Sequence, residues 1–139
     1  MRTILSTLLL SLVFLTGNAQ SISKQNTEQY NYVVMTKNVQ QIHPILLAAE
    51  ALKKEDGENF GAFEVIVCVK NIGDLTDPNE INELYERAKK QGVSIIACGF
   101  SLNRFKVERN KLPEGMRVVE NGILHSLNLQ KKNYYSLDL

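Results

Sequence analysis

Five short runs rich in apolar residues divide this sequence into segments of strand length. Two of them, at residues 63–69 and 93–97, are almost continuously apolar and rich in Val and Ile. Runs of this kind are typical of strands in a parallel sheet whose two faces are both covered by helices. The pattern therefore predicts five strands, at residues 30–35, 63–69, 93–97, 116–119 and 134–137.

Two segments between these strands keep the spacing of an amphipathic helix. The first is predicted over residues 42–55, with Pro44 in its first turn. The second begins at Asp77 and Pro78, which suit the N-cap and the first helical position, and Gly92 is placed to end it. Strands that alternate with helices predict an α/β fold, with three layers in the order α/β/α around a five-stranded, mainly parallel sheet.

Two shorter helices are predicted in the second half of the chain. Ser101 is a candidate N-cap for a helix through Phe105, and Asn121 is a candidate N-cap for the last helix. Residues 57–61 contain two glycines, but they follow a helix and lack the Gly-Lys-Ser/Thr ending of a phosphate loop, so we expect a connection. The sequence also contains neither Gly-x-Ser-x-Gly nor Gly-x-Gly-x-x-Gly, and no cofactor is expected.

The first 19 residues have the features of a signal peptide. One positive charge at Arg2 precedes an apolar stretch from residue 4 to residue 15, and small residues lead to a cleavage site after Ala19. An uncleaved anchor is the alternative, although the stretch is shorter than the roughly 20 residues that span a bilayer. We expect an exported, periplasmic protein without membrane contact in its mature form, with a flexible leader at 20–29 and a single domain at 30–139.

The balance of charges narrows the range of partners. The chain carries 16 basic and 15 acidic residues, a formal net charge of +1, and loss of Arg2 with the signal peptide leaves 15 of each. A domain that binds nucleic acid normally concentrates a basic excess on one surface. We therefore expect no nucleic acid partner.

Cys98 is the main candidate for chemistry, because it ends an apolar strand and precedes a Gly-x-Ser segment. Ligands and reactive groups collect at the carboxyl ends of parallel strands. One interpretation is a reactive thiolate, favoured by a short helix after Cys98 and by the cations of the next connection, which are Arg104, Lys106, Arg109 and Lys111. The other is a structural cysteine, since free cysteine is among the most buried residue types.

Cys68 and His43 are auxiliary candidates, together with Ser101 and Arg104. Cys68 lies near the end of the second predicted strand. Three roles are open for it: a buried core residue, a thiol that resolves a mixed disulfide or persulfide at Cys98, or a disulfide partner of Cys98. His43 lies at the start of the first helix, at the same edge of the sheet. It is either a base for Cys98 or a partly exposed helix-start residue.

Metal binding is not expected from this sequence. The two cysteines and two histidines lack the close spacing of a zinc site. His125 lies among apolar residues of the last predicted helix and is interpreted as a packing or surface residue.

Three segments of the second half carry a resemblance to a known family. They are residues 92–102 (GVSIIACGFSL), residues 112–119 (LPEGMRVV) and the stretch from Gly122-Ile123 through Leu129-Gln130 to Tyr134. Together they resemble the DsrE/DsrF-like family of sulfur-relay proteins. The resemblance extends over the domain from about residue 30 to the end and is most specific after residue 92.

This resemblance implies a three-layer domain on a five-stranded sheet that forms homo- or hetero-oligomers, often trimers or hexamers. In the sulfur-transferring members a cysteine of this segment carries a persulfide, and only Cys98 matches that position. The implied partners are a sulfur donor or acceptor protein or a small sulfur species. The first hypothesis is therefore an exported persulfide carrier, not a turnover enzyme. The alternative is a non-catalytic periplasmic binding or oligomeric module with a structural cysteine on the same fold.

Overall fold

Five strands form one sheet in the computed structural model, which describes residues 29–139. All neighbouring strands are parallel, so the predicted α/β fold with a parallel sheet is confirmed. The predicted signal peptide, its cleavage site and the predicted leader up to residue 28 lie outside the described residues. The strands are β1 (Tyr30–Thr36), β2 (Phe60–Val67), β3 (Val93–Cys98), β4 (Arg117–Val119) and β5 (Tyr135–Asp138), and their spatial order is β4-β3-β2-β1-β5.

Helices connect the strands at nearly the predicted positions. The cap of the second helix is confirmed, since the Asp77 carboxylate accepts a hydrogen bond from the Asn79 amide and Gly92 ends the helix at a φ of 77°. Asn121 likewise caps the last helix by accepting from the Leu124 amide over 3.1 Å. The helices are α1 (Ile42–Asp56), α2 (Pro78–Gln91), α3 (Gly99–Arg104) and α4 (Gly122–Gln130), with 3₁₀ turns at Val39–Gln41, Gly57–Asn59, Lys70–Thr76 and Arg109–Lys111.

The core lies on both faces of the two central strands. Val65, Ile66 and Val67 of β2 are all completely buried. Because successive strand residues point to opposite faces, this burial requires a layer on each side. Helices α1 and α2 pack against each other, while α4 lies against β1, β2 and β5. Among residues 29–139, no helix has both the length and the apolar character needed to cross a membrane.

The bounds of β2 differ from the prediction at both ends. Phe60 and Gly61, which we expected in a connection, belong to the strand, and Phe60 pairs with Tyr30 of β1. The strand ends at Val67, because Val69 adopts a φ of 65°, outside the extended region. Cys68 therefore lies just after the strand, and the chain continues into the 3₁₀ turn at Lys70–Thr76.

The predicted cap of the short third helix is wrong. Helix α3 begins at Gly99, so Cys98 occupies the N-cap position and Ser101 lies within the helix. The Ser101 hydroxyl is not free to cap, because its oxygen accepts a hydrogen bond from the Val69 amide over 2.8 Å.

Candidate thiol site

The two cysteines lie side by side at the carboxyl edge of the sheet. Val67 pairs with Ala97 in the ladder between β2 and β3, so the next residues, Cys68 and Cys98, are neighbours. Both are free thiols, with 5% and 3% of their surfaces exposed respectively. The structure therefore brings together the two cysteines that were predicted independently as strand-end residues, without a disulfide between them.

Gly122 packs against this pair of cysteines. A Cβ atom at this position would lie 2.6 Å from the Cys68 Sγ atom, 2.9 Å from an Ile66 methyl group and 3.2 Å from the Cys98 Cβ atom. Only a residue without a side chain lets the start of α4 approach both thiols this closely. The close approach also places the Gly122 amide 3.3 Å from the Cys98 Sγ atom, as a hydrogen-bond donor.

A cavity of about 440 Å³ opens over the two thiols. Most of its wall is apolar, and the outer residues are strongly exposed: Phe100 by 65% and Ile123 by 61%. The buried cysteines therefore lie at the closed end and the apolar side chains at the mouth. The lining residues are Cys68, Val69, Cys98, Phe100, Ser101, Arg104, Phe105, Asn121 and Ile123.

Hydrogen bonds favour the thiolate form of Cys98. Burial raises the pKa of this thiol, but hydrogen bonds from the Ser101 hydroxyl, the Gly122 and Ser101 amides and the Cys68 thiol oppose that effect. The net result is a pKa below the ordinary value of a cysteine. Cys98 is thus the more acidic of the two thiols.

Ser101 connects Cys98 to the segment after β2. Its oxygen accepts from the Val69 amide, which leaves the hydroxyl proton available to the Cys98 sulfur. Val69 is held at a positive φ, which is a rare conformation for a β-branched residue and costs about 1–3 kcal/mol. Strain of this kind is found where the surrounding structure fixes a functional geometry.

The pKa of Cys68, unlike that of Cys98, is raised. Burial, the negative charge of the nearby Cys98 thiolate and a hydrogen bond to it raise the pKa of Cys68 to about 12. At neutral pH Cys68 therefore keeps its proton, and its thiol donates a hydrogen bond to the Cys98 sulfur. This makes Cys68 a hydrogen-bond donor that holds the thiolate, whereas a resolving nucleophile would need to lose its proton first.

The cations of the connection after α3 contribute less positive charge near Cys98 than the sequence predicts. Arg109 forms a two-pronged ion pair with Glu120, at 2.9 and 3.0 Å, and Lys111 pairs with Glu108 at 2.7 Å. Their charges are therefore compensated by neighbouring carboxylates. Arg104 is the basic residue of the cavity lining, and within residues 29–139 it makes no ion pair.

The remaining candidates lie elsewhere. His43 is exposed in the first turn of α1 and does not line the cavity. Within the described part of the chain, no three His, Cys, Asp or Glu side chains are grouped so that they could hold a metal ion. Sequence reasoning did not identify Gly122 or Val69 as site residues, although β4 also ends at this edge and thus brings Asn121 and Gly122 to it.

A second polar cluster fixes α4 on the sheet. Glu64 of β2 is only 8% exposed, and its carboxylate contacts His125 of α4 at 2.7 Å and Arg117 of β4 at 2.8 Å. Burial and the Glu64 charge together raise the pKa of nearby Tyr134. Because α4 begins at Gly122, this cluster helps to hold the Gly122 amide against Cys98.

Comparison with known proteins supports the fold. No protein-family model matches the chain, and a search of curated proteins finds no match. Among solved structures, the chain is similar to a protein of unknown function, MTH1491 from Methanobacterium thermoautotrophicum, with a TM-score of 0.69 and 18% sequence identity. The similarity covers 80% of this chain and 100% of that one. At this identity it is the α/β fold that the two proteins share.

Proposed function

We propose that this protein is a sulfur carrier in which Cys98 holds sulfane sulfur as a persulfide. The observation that carries the proposal is a buried Cys98 sulfur that accepts a hydrogen bond from the Gly122 amide over 3.3 Å, with Ser101 and Cys68 also lowering its pKa. Such donors stabilise a thiolate, and the thiolate is the form of cysteine that attacks sulfur. The resemblance of residues 92–102 to sulfur-relay proteins supports the same residue.

Loading and delivery are two exchange reactions at sulfur. In loading, the Cys98 thiolate attacks the outer sulfur of a donor persulfide, R–S–SH. The Cys98 S–S bond forms, the bond between the two donor sulfurs breaks, and R–S⁻ leaves. In delivery, an acceptor thiolate attacks the outer sulfur on Cys98, takes it as a persulfide and returns the Cys98 thiolate. Neither step needs an external oxidant or reductant.

The neighbours of Cys98 have separate tasks in this cycle. The Ser101 hydroxyl, the Gly122 amide and the Cys68 thiol stabilise the negative charge on Cys98 before attack and again when it becomes the leaving group in delivery. The cavity provides the space for the extra sulfur atom and for the donor. Because burial favours the protonated form of Cys68, we expect this thiol to compete poorly with the acceptor for the persulfide.

The proposal includes export and self-association. The signal-type features of residues 1–19 support action in the periplasm, and the family resemblance supports a homo-oligomer such as a trimer or hexamer. Intact mass of protein recovered from the cell envelope tests the first point, with Gln20 expected as the first residue. Retention of residues 1–19 would contradict it. Sedimentation equilibrium tests the second point, and a monomer at micromolar concentration would contradict self-association.

The central test is mass spectrometry of the purified protein after incubation with a sulfane-sulfur donor. We expect a gain of one sulfur atom located on Cys98, abolished in Cys98→Ser. Cys68→Ser keeps a hydroxyl donor and should still load on Cys98, at a different rate. His43→Ala changes an exposed residue outside the cavity and serves as the matched control. Equal labelling of wild type and Cys98→Ser would instead favour a binding module with a structural cysteine.

A further inference from the structure

The cavity above Cys98 combines an apolar wall with a single cation. Val69, Phe100, Phe105 and Ile123 remain substantially exposed around it, each by 40% or more. Arg104 is the positive charge in the lining, and within the part of the chain that the structure describes it has no carboxylate partner. An apolar cleft with few polar groups is typical of a small-molecule site, in which the polar groups fix the orientation of the ligand.

Asn121 adds a second polar contact to the same wall. Its side-chain oxygen accepts from the Leu124 amide over 3.1 Å, in the cap of α4. The side-chain nitrogen, which is a donor, is not used by that bond. The cavity therefore offers an unpaired guanidinium and an amide donor, which suit one small anionic group.

We infer that the cavity takes a small amphiphilic monoanion, with an apolar body along Phe100 and Ile123 and a carboxylate at Arg104. One part of this inference rests on the proposed sulfur-carrier function: the donor of sulfane sulfur would be the persulfide of such a molecule. The Cys98 thiolate attacks the outer sulfur of this persulfide, the Cys98 S–S bond forms, the S–S bond of the donor breaks, and the carboxylate-bearing thiolate leaves. The binding preference itself does not depend on that transfer.

The same lining disfavours an inorganic donor. Thiosulfate is a small dianion, and burying its charges next to apolar side chains is costly unless cations or hydrogen bonds replace its water. The single guanidinium of Arg104 and the amide of Asn121 are too few for that purpose. Exposed Phe100 and Ile123 would instead gain free energy by covering an alkyl or aryl group.

The dimensions of the cavity favour a small molecule over a folded protein as the donor. Its volume of about 440 Å³ falls within the range of small-ligand sites. Cys98 is only 3% exposed, so a donor sulfur must enter the cavity to reach it.

Binding is tested first, with probes that cannot transfer sulfur. Amide chemical shifts of the purified protein are followed during titration with hexanoate, hexanamide and acetate. We expect hexanoate to bind about tenfold or more tightly than acetate, because of its longer chain. It should bind about two- to fivefold more tightly than hexanamide, because the ion pair with Arg104 is solvent-exposed. Equal affinity for acetate and hexanoate would overturn the inference.

Two variants assign the contacts. Arg104→Gln should remove the difference between hexanoate and hexanamide, while Phe100→Ser should weaken both. Lys106→Gln is the matched control, since Lys106 lies two residues further along and does not line the cavity. If Arg104→Gln leaves the preference for hexanoate unchanged, the carboxylate does not bind at Arg104 and the inference is wrong.

Loading is then tested with the persulfide of 6-mercaptohexanoate and with thiosulfate. We expect Cys98 to gain sulfur at least tenfold faster from the former. Equal rates, or loading only from a protein-bound persulfide, would overturn the inference while leaving the sulfur-carrier function intact. Binding of hexanoate without loading from any donor would overturn the carrier function and leave the ligand class in place.

Discussion

The backbone amide of Val69 donates a hydrogen bond to the Ser101 hydroxyl over 2.8 Å, and this contact joins the segment after β2 to the helix after β3. It leaves the hydroxyl proton of Ser101 available to the Cys98 sulfur, whose pKa this hydroxyl lowers. Through Ser101, the pKa of Cys98 therefore depends on Val69, which lies 32 positions before Ser101 in the chain and is held at a positive φ.

Ser101→Ala should raise the pKa of Cys98, because it removes a hydroxyl donor to the thiolate. It should also lower the free energy of unfolding by about 1 kcal/mol, since the Val69 amide loses its acceptor. The pH dependence of iodoacetamide alkylation at Cys98 reports the first effect and urea denaturation the second. Ser94→Ala changes an exposed serine of β3 and serves as control. An unchanged alkylation profile in Ser101→Ala would remove Ser101 from the thiol site.

Cys68 should make the protein less stable at alkaline pH. Its pKa is about 12 in the folded protein against an ordinary value of 9.0, so the unfolded chain loses this proton at lower pH than the folded one. The stabilisation is fully present below pH 9 and is lost as the pH rises from about 9 to about 12. Denaturation at a series of pH values under reducing conditions should show a steeper loss in wild type than in Cys68→Ser. Parallel curves would contradict the burial of a protonated Cys68.

Gly122→Ala should disturb both thiols. The new Cβ would lie 2.6 Å from the Cys68 sulfur and 2.9 Å from Ile66, so α4 must shift, at a cost of about 1–3 kcal/mol. The shift withdraws the Gly122 amide from Cys98 and should raise its pKa. Gly73→Ala is the control, because its Cβ would meet only an ordinary contact at 3.8 Å. Equal stability and equal alkylation of the two variants would show that α4 does not depend on this close approach.

Glu64→Gln should loosen α4, because the neutral amide loses the ion pair with Arg117 and weakens the contact with His125. We expect a loss of about 1–3 kcal/mol in the free energy of unfolding, less than for a fully buried pair because Arg117 is half exposed. Slower alkylation of Cys98 at neutral pH should accompany it. Glu86→Gln breaks an exposed pair with Lys89 and should cost less than about 1 kcal/mol. Similar losses in both variants would mean that Glu64 carries no special anchoring role.

The interiors of the strands could be predicted from sequence, but their ends could not. Val65 to Val67 and Val93 to Ala97 are apolar without interruption, and this pattern identifies a doubly covered sheet. The end of β2 depends on the φ of Val69, and a valine gives no local signal of a positive φ. The sequence predicts Ser101 as a cap, whereas its hydroxyl oxygen accepts from the Val69 amide, which comes from a distant part of the chain.

The place of Cys98 at a strand end beside a cavity could be predicted from the sequence, whereas the pairing of the surrounding charges could not. The Arg109 and Glu120 contact depends on how a long connection folds back on itself. Glu64 did carry a usable signal: a single carboxylate within a buried strand requires partners, and these are His125 and Arg117. The same argument from strand ends would have located Gly122, which follows β4.

The most direct measurement is a single turnover with isotopically heavy sulfur. Protein loaded on Cys98 with heavy sulfane sulfur is freed of donor and mixed with an excess of a small acceptor thiol, and both products are weighed by mass spectrometry. A carrier transfers the heavy sulfur to the acceptor as a persulfide and returns an unmodified Cys98, in a ratio close to one atom per loaded chain. Release of the heavy sulfur only as sulfide, with a mixed disulfide at Cys98, would contradict the account.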